Sequence, residues 1–131
     1  MRPFSAAAGL ALAAILSASP GHAAQFRLTS PDLTPGGTIA DRFVFNGFGC
    51  TGGNVSPALA WSGAPAGTKS FVVTAYDPDA PSGSGWWHWV VADIPAGVTA
   101  LPQGAGAPSG QGLPAGAVQG RTDYGSSAYG G

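Results

Sequence analysis

Lys69-Ser70-Phe71-Val72-Val73-Thr74-Ala75-Tyr76-Asp77 and Trp86-Trp87-His88-Trp89-Val90-Val91-Ala92-Asp93-Ile94, separated only by residues 78–85, decide the fold. β-branched and aromatic residues fill both stretches, which predicts two strands. Neither alternates cleanly between apolar and polar, so both are expected to be buried on two faces. Gly63-Ala64-Pro65-Ala66-Gly67 turns the chain before the first strand, and Pro95-Ala96-Gly97 ends the second. Outward from this pair, Leu59-Ala60-Trp61 is a short apolar stretch. Gln25 to Thr29 alternates, with Phe26 and Leu28 on one face. Ser30-Pro31-Asp32 and Pro35-Gly36-Gly37 mark turns, and Thr38 to Phe45 is expected to form a strand with Phe43 and Phe45 on a common face. From Pro102 onward Gly, Pro, Ala and Gln dominate without helical periodicity. No internal repeat and no amphipathic helix stand out, so the fold class is mainly β.

Composition supports a single turn-dense globular domain. Of the 131 residues only 8% are charged, against roughly 25% in typical soluble domains. Gly (22) and Pro (12) make up about a quarter of the chain, a disorder-like share. The 44% hydrophobic and 10% aromatic contents point the other way, because disordered chains are poor in aromatics. The net charge of -1 and the lack of any basic cluster exclude a nucleic-acid or anionic-membrane binder that works through bulk charge. One cysteine, Cys50, excludes an internal disulfide framework and a thiolate zinc site; it is a buried thiol or an unpaired half-disulfide.

Arg2, the apolar run Ala6 to Ala18, the break at Pro20-Gly21 and the small residues of Gly21-His22-Ala23 form a secretory signal pattern. The run is shorter than the ~18–20 residues of a spanning helix. Residues 1–24 are therefore expected to be a signal peptide and 25–131 the domain, exported to the periplasm or the extracellular space. The mature chain would carry formal charge -2, no Glu and one histidine, His88.

The loop between the central strands holds the chemistry. In Asp77-Pro78-Asp79-Ala80-Pro81-Ser82-Gly83-Ser84-Gly85, two carboxylates flank a proline that stiffens them, while Ser82 to Gly85 stay flexible. If the strands pair as a hairpin, His88 returns close to Asp77 and the two form a polar pocket with an apolar rim. Plainer readings exist: Asp-x-Asp is a common turn former, and a histidine among tryptophans is often a packed core residue. Asp77, Asp79 and His88 also resemble an iron or manganese ligand set, though no fourth ligand is identifiable. Gly83-Ser84-Gly85 lacks the spacing of a nucleophile elbow.

Asp77-Pro78-Asp79-Ala80-Pro81 followed by Gly85-Trp86-Trp87-His88-Trp89-Val90-Val91 resembles the signature of the phosphatidylethanolamine-binding protein family, in its bacterial, Raf kinase inhibitor-like branch. Phe45-Asn46-Gly47-Phe48-Gly49-Cys50, Asn54-Val55-Ser56-Pro57-Ala58-Leu59-Ala60-Trp61, the approach Gly63 to Phe71, and Gln119-Gly120-Arg121-Thr122-Asp123-Tyr124-Gly125 followed by Tyr129-Gly130-Gly131 extend the resemblance from Phe26 to Gly131. It implies an antiparallel β-sandwich with an anion pocket at one end. Asp77 would be the pocket acid, Pro78, Ala80 and Pro81 the rigid wall, Trp86 the aromatic wall and His88 the pocket histidine. Tyr129 and Gly130 would begin the next pocket loop, and Asp79 would be structural. The family pattern continues with a Gly-x-x-His-Arg-Tyr strand that this sequence lacks, so the sandwich is expected to be incomplete at its C-terminal end. The function implied is that of a non-enzymatic binder of a small anionic or phosphorylated ligand, an inhibitor or scaffold, with no cofactor, no nucleic acid and no transmembrane segment in the mature chain. The alternatives are a metal-dependent enzyme using Asp77, Asp79 and His88, and a structural sandwich with a vestigial pocket.

Overall fold

The computed structural model describes residues 25–131; the expected signal peptide lies outside them. Eight strands run through the described residues: β1 (Arg27–Thr29), β2 (Asn46–Gly47), β3 (Cys50–Thr51), β4 (Leu59–Ser62), β5 (Ser70–Asp77), β6 (Trp86–Pro95), β7 (Ala100–Leu101) and β8 (Val118–Gln119). All pair antiparallel. One sheet has the order β1-β4-β7, a second β5-β6-β8, and β2-β3 is a separate hairpin. The mainly β, antiparallel class is as expected.

Both larger sheets feed one core. Leu59 and Trp61 come from β4, Val73 from β5, Trp89, Val91 and Ile94 from β6, and Leu101, Ala105 and Tyr129 complete it. Trp89 anchors the second sheet. It is 1% exposed, and its indole Nε1 donates to Gln119 Oε1 at 2.8 Å, while the Gln119 amide donates to the Ala107 carbonyl at 2.9 Å. Trp61 contrasts with it, since its buried Nε1 has no partner among the described residues.

The central strands differ from the two-faced burial expected of them. In β5 Val73 is buried while Val72 is 62% exposed, so the sheet has one solvated face, as antiparallel sheets commonly do. The missing alternation has a local cause in β6. Between the pairs Ala75↔Trp89 and Tyr76↔Trp87, β5 advances one residue and β6 two; between Phe71↔Ile94 and Val73↔Val91, β5 advances two and β6 three. Each extra β6 residue is a bulge, which shifts the phase of the strand and re-aims its side chains. The first is at His88. The second falls beside Asp93, whose φ of 55° is left-handed.

The strand expected over Thr38 to Phe45 is instead extended chain around a single 3-10 turn, Asp41–Phe43. Its carbonyls bond to the following loop rather than to a neighbouring strand: Asp41, Arg42 and Val44 accept from Gly53, Val55 and Asn54. This close approach requires glycine. A Cβ on Gly52 would collide with the Val44 carbonyl, and one on Gly53 would stand 2.6 Å from that of Arg42. Phe43 is thereby buried. Asp32 ties the segment down, accepting from Ala58 N–H (2.7 Å), Gln103 Nε2 (3.0 Å) and Arg42 (2.8 Å).

Candidate functional site

The β5–β6 hairpin brings the loop chemistry together. Its last register pair is Asp77↔Trp86. Beyond it, Asp77 Oδ1 accepts from Asp79 N–H at 2.9 Å, an Asx turn that fixes the loop entry. Tyr76 OH donates to the Ser84 carbonyl at 2.7 Å, and Ser82 Oγ donates to the Gly85 carbonyl. The stiff loop closes one side of a cavity of about 280 Å³, lined by Phe48, Asp77, Ala80, Pro81, Ser82, Trp86, His88 and Tyr124. Two larger apolar clefts, along β1 and along β5, carry no Asp, Glu, His, Lys or Arg in their walls; the carboxylate and the imidazole line the smaller cavity.

The bulge keeps Trp86 and His88 in the inward phase that Trp89 and Val91 continue. The His88 ring is then held by backbone: Nδ1 lies 2.7 Å from the Gly130 carbonyl, and Gly130 N–H donates to the His88 carbonyl at 2.9 Å. With the proton on Nδ1 shared with that carbonyl, Nε2 is left for whatever enters the cavity. The Gly130 carbonyl, which can only accept, therefore fixes the tautomer.

Tyr124 forms the opposite wall. Asp123 carries it there by bonding twice to β6: its carboxylate accepts from Trp87 N–H at 2.7 Å and its own N–H donates to the Trp87 carbonyl at 3.2 Å. The Tyr124 hydroxyl stands 3.4 Å from His88 Nδ1, and its ring meets Trp86 edge-on at 5.4 Å and stacks on Phe45 at 4.1 Å. Burial pushes the Tyr124 hydroxyl above its ordinary pKa; a contact with Trp86 opposes this, and the nearby Cys50 and Asp77 add to the rise.

A model of the phosphatidylethanolamine-binding proteins matches residues 29–131. The chain belongs to the phosphatidylethanolamine-binding protein family. UPF0098 protein YbcL of Escherichia coli (strain K12) is 60% identical over 110 residues, covering 84% of this chain and 60% of that protein. UPF0098 protein YbhB of the same organism is 58% identical over 106 residues, 80% of this chain and 66% of that one. The crystal structure of E. coli YbcL, described as a new member of the mammalian family, superposes with a TM-score of 0.80 at 59% identity, over 81% of this chain and 65% of that one. The homologue CT736 from Chlamydia trachomatis gives a TM-score of 0.65 at 29% identity. The chain thus spans about 60–66% of the length of the two E. coli relatives.

Within this family member, Asp77, Ala80, Pro81, Trp86 and His88 line one cavity, as the family resemblance implied. Pro78 is not among the lining residues. Gly130 touches His88 from behind. Tyr129 lies elsewhere: it is buried, its OH donates to the Phe43 carbonyl at 2.8 Å, and it lines the apolar cleft along β5. Sequence reasoning missed Phe48 and Tyr124 as wall residues. The aromatic of Phe48-Gly49, at a turn-forming dipeptide, is the signal that could have found the first. Asp77, Asp79 and His88 do not gather as metal ligands, since no group of three or more His, Cys, Asp or Glu able to hold an ion occurs among the described residues. No helix among them is long and apolar enough to cross a membrane, and Cys50 is an exposed free thiol.

Proposed function

We propose that this chain is an exported, non-enzymatic binding protein whose Asp77–His88 cavity takes a small phosphorylated or other anionic head group. The observation that carries the reading is the clamp of Gly130 on His88. A ring held at Nδ1 by a carbonyl presents Nε2 in a fixed direction. In its neutral form Nε2 accepts from a protonated phosphate oxygen, and in its protonated form it donates to an anionic one. Among the described residues Asp77 is the one carboxylate in the wall, and no Lys or Arg lines the cavity. A multiply charged anion is disfavoured beside that carboxylate, whereas a head group that also bears an ammonium finds a partner there. Trp86, Tyr124 and Phe48 supply the apolar rim usual in small-ligand sites. Export follows from the leader pattern of residues 1–24, and an inhibitor or scaffold role from the family resemblance.

NMR of the imidazole nitrogens tests the site. Phosphoethanolamine should move the Nε2 resonance of His88 and leave Nδ1, bonded to Gly130, nearly still. A shift at neither nitrogen under saturating ligand would remove His88 from the binding site.

A further inference from the structure

We propose, on the footing that the cavity takes a phosphoryl group, that Phe48 makes it selective for phosphate esters with an apolar substituent. Phe48 stands at the first tip position of the β2–β3 hairpin, between the register pair Gly47↔Cys50. Both tip residues have positive φ, 53° at Phe48 and 90° at Gly49, the signature of a type I′ turn. That position favours Asn, Asp or Gly, and an aromatic side chain pays steric strain there. Burial does not repay it: at 84%, Phe48 is the most exposed large apolar side chain among the described residues. Its contacts point to the cavity. The ring packs on Phe45 at 5.5 Å and on Tyr124 at 6.0 Å, the latter nearly parallel at 15°, and Phe48 itself lines the Asp77–His88 cavity. Residues kept in strained conformations concentrate at ligand clamps. Here the strain holds a flat apolar surface in the wall of the cavity that Asp77 and His88 also line. A phosphoryl group at His88 would project its substituent along the apolar surface that Phe48 and Tyr124 form together.

The test compares phenyl phosphate with methyl phosphate, which carry the same phosphoryl group and differ in apolar area. Each is titrated calorimetrically at about pH 5, below the second phosphate pKa so that both ligands are monoanions, into the full chain as wild type, Phe48→Asn, Phe48→Ala and His88→Ala. The wild type should prefer phenyl phosphate by about tenfold, from added apolar burial and ring stacking. Phe48→Asn should bring the two affinities together by weakening phenyl phosphate alone, and should raise the melting temperature, because Asn suits a left-handed turn position. Phe48→Ala should remove the preference in the same way. His88→Ala should weaken both ligands alike. A preference that survives Phe48→Asn in a folded protein overturns the role of Phe48 while leaving the phosphoryl site standing. If His88→Ala changes neither ligand, the phosphoryl reading fails and the selectivity built on it fails too.

Discussion

Replacing Gln119 by Leu tests how the second sheet is held. The Gln119 amide is the only link between the Trp89 indole N–H at 2.8 Å and the Ala107 carbonyl at 2.9 Å. Trp89 is 1% exposed, so the substitution takes the acceptor from a side chain held in the core. Leaving a buried donor unpaired costs about 1–3 kcal/mol, and the Ala107 carbonyl adds to this where it too is sealed. Leucine returns part of the loss through apolar burial, so the net destabilisation is about 2 kcal/mol. For a domain of this size that lowers Tm by roughly 8–16 °C. Gln119→Glu keeps the acceptor and loses only the donor, and should fall between Leu and wild type. Thermal unfolding followed by near-ultraviolet circular dichroism reads all three. A Gln119→Leu variant that melts within experimental error of the wild type would refute the claim that this bridge holds Trp89.

Three further outcomes are expected. Ala58 N–H, then the Gln103 amide and the Arg42 guanidinium, hold the Asp32 carboxyl below its ordinary pKa. The stability it adds is present above the unfolded carboxylate value and is lost as pH falls through the lower folded one. Asp32→Asn should therefore melt lower at neutral pH and lose less on acidification below about pH 4. Burial, with a smaller push from Tyr124, raises the Tyr129 hydroxyl to about 12. Its stabilisation should be complete below about pH 10 and drain away as pH rises towards 12; in melts across that range, Tyr129→Phe should show a flatter profile. Mass spectrometry of exported material should find a chain starting at Ala24 or Gln25, and a retained Met1 in that fraction would contradict export by cleavage.

The hairpin of Lys69 to Ile94 was legible because β-branched and aromatic runs bounded by Gly and Pro have few alternatives. Its burial was not. The lack of clean alternation in Trp86 to Ile94 suggested a strand sealed on both faces, yet its cause is two bulges, and an inserted residue leaves no mark in composition. The 3-10 turn at Asp41–Phe43 was hidden for another reason. The partners of its carbonyls are the N–H groups of Gly53, Asn54 and Val55, and only the packed chain shows that Gly52 and Gly53 permit the approach. Asp77 and His88 were readable as one site because they lie within a single hairpin, and the family resemblance added Ala80, Pro81 and Trp86 as its walls. Tyr124 and Phe48 reach it from distant segments. Gly130 acts through its carbonyl, which every residue has, so its identity gave no hint that it orients His88. The family resemblance placed Tyr129 at the start of the next pocket loop, but its hydroxyl turns to Phe43 and its ring to Trp89 at 5.8 Å.

Calorimetric titration of phosphoethanolamine into the wild type, His88→Ala, Asp77→Asn and the double variant tests the central claim most directly. His88→Ala removes the ring that Gly130 presents, and should weaken binding by about 1–3 kcal/mol, the range for a hydrogen bond to a charged group. Asp77→Asn should weaken it as well, by removing the carboxylate that meets the ammonium. Both groups act on one ligand in one cavity, so the double variant should lose less than the sum of the two. Equal affinities across all four folded proteins would contradict the account, place the ligand elsewhere and leave His88 as a packing residue between tryptophans.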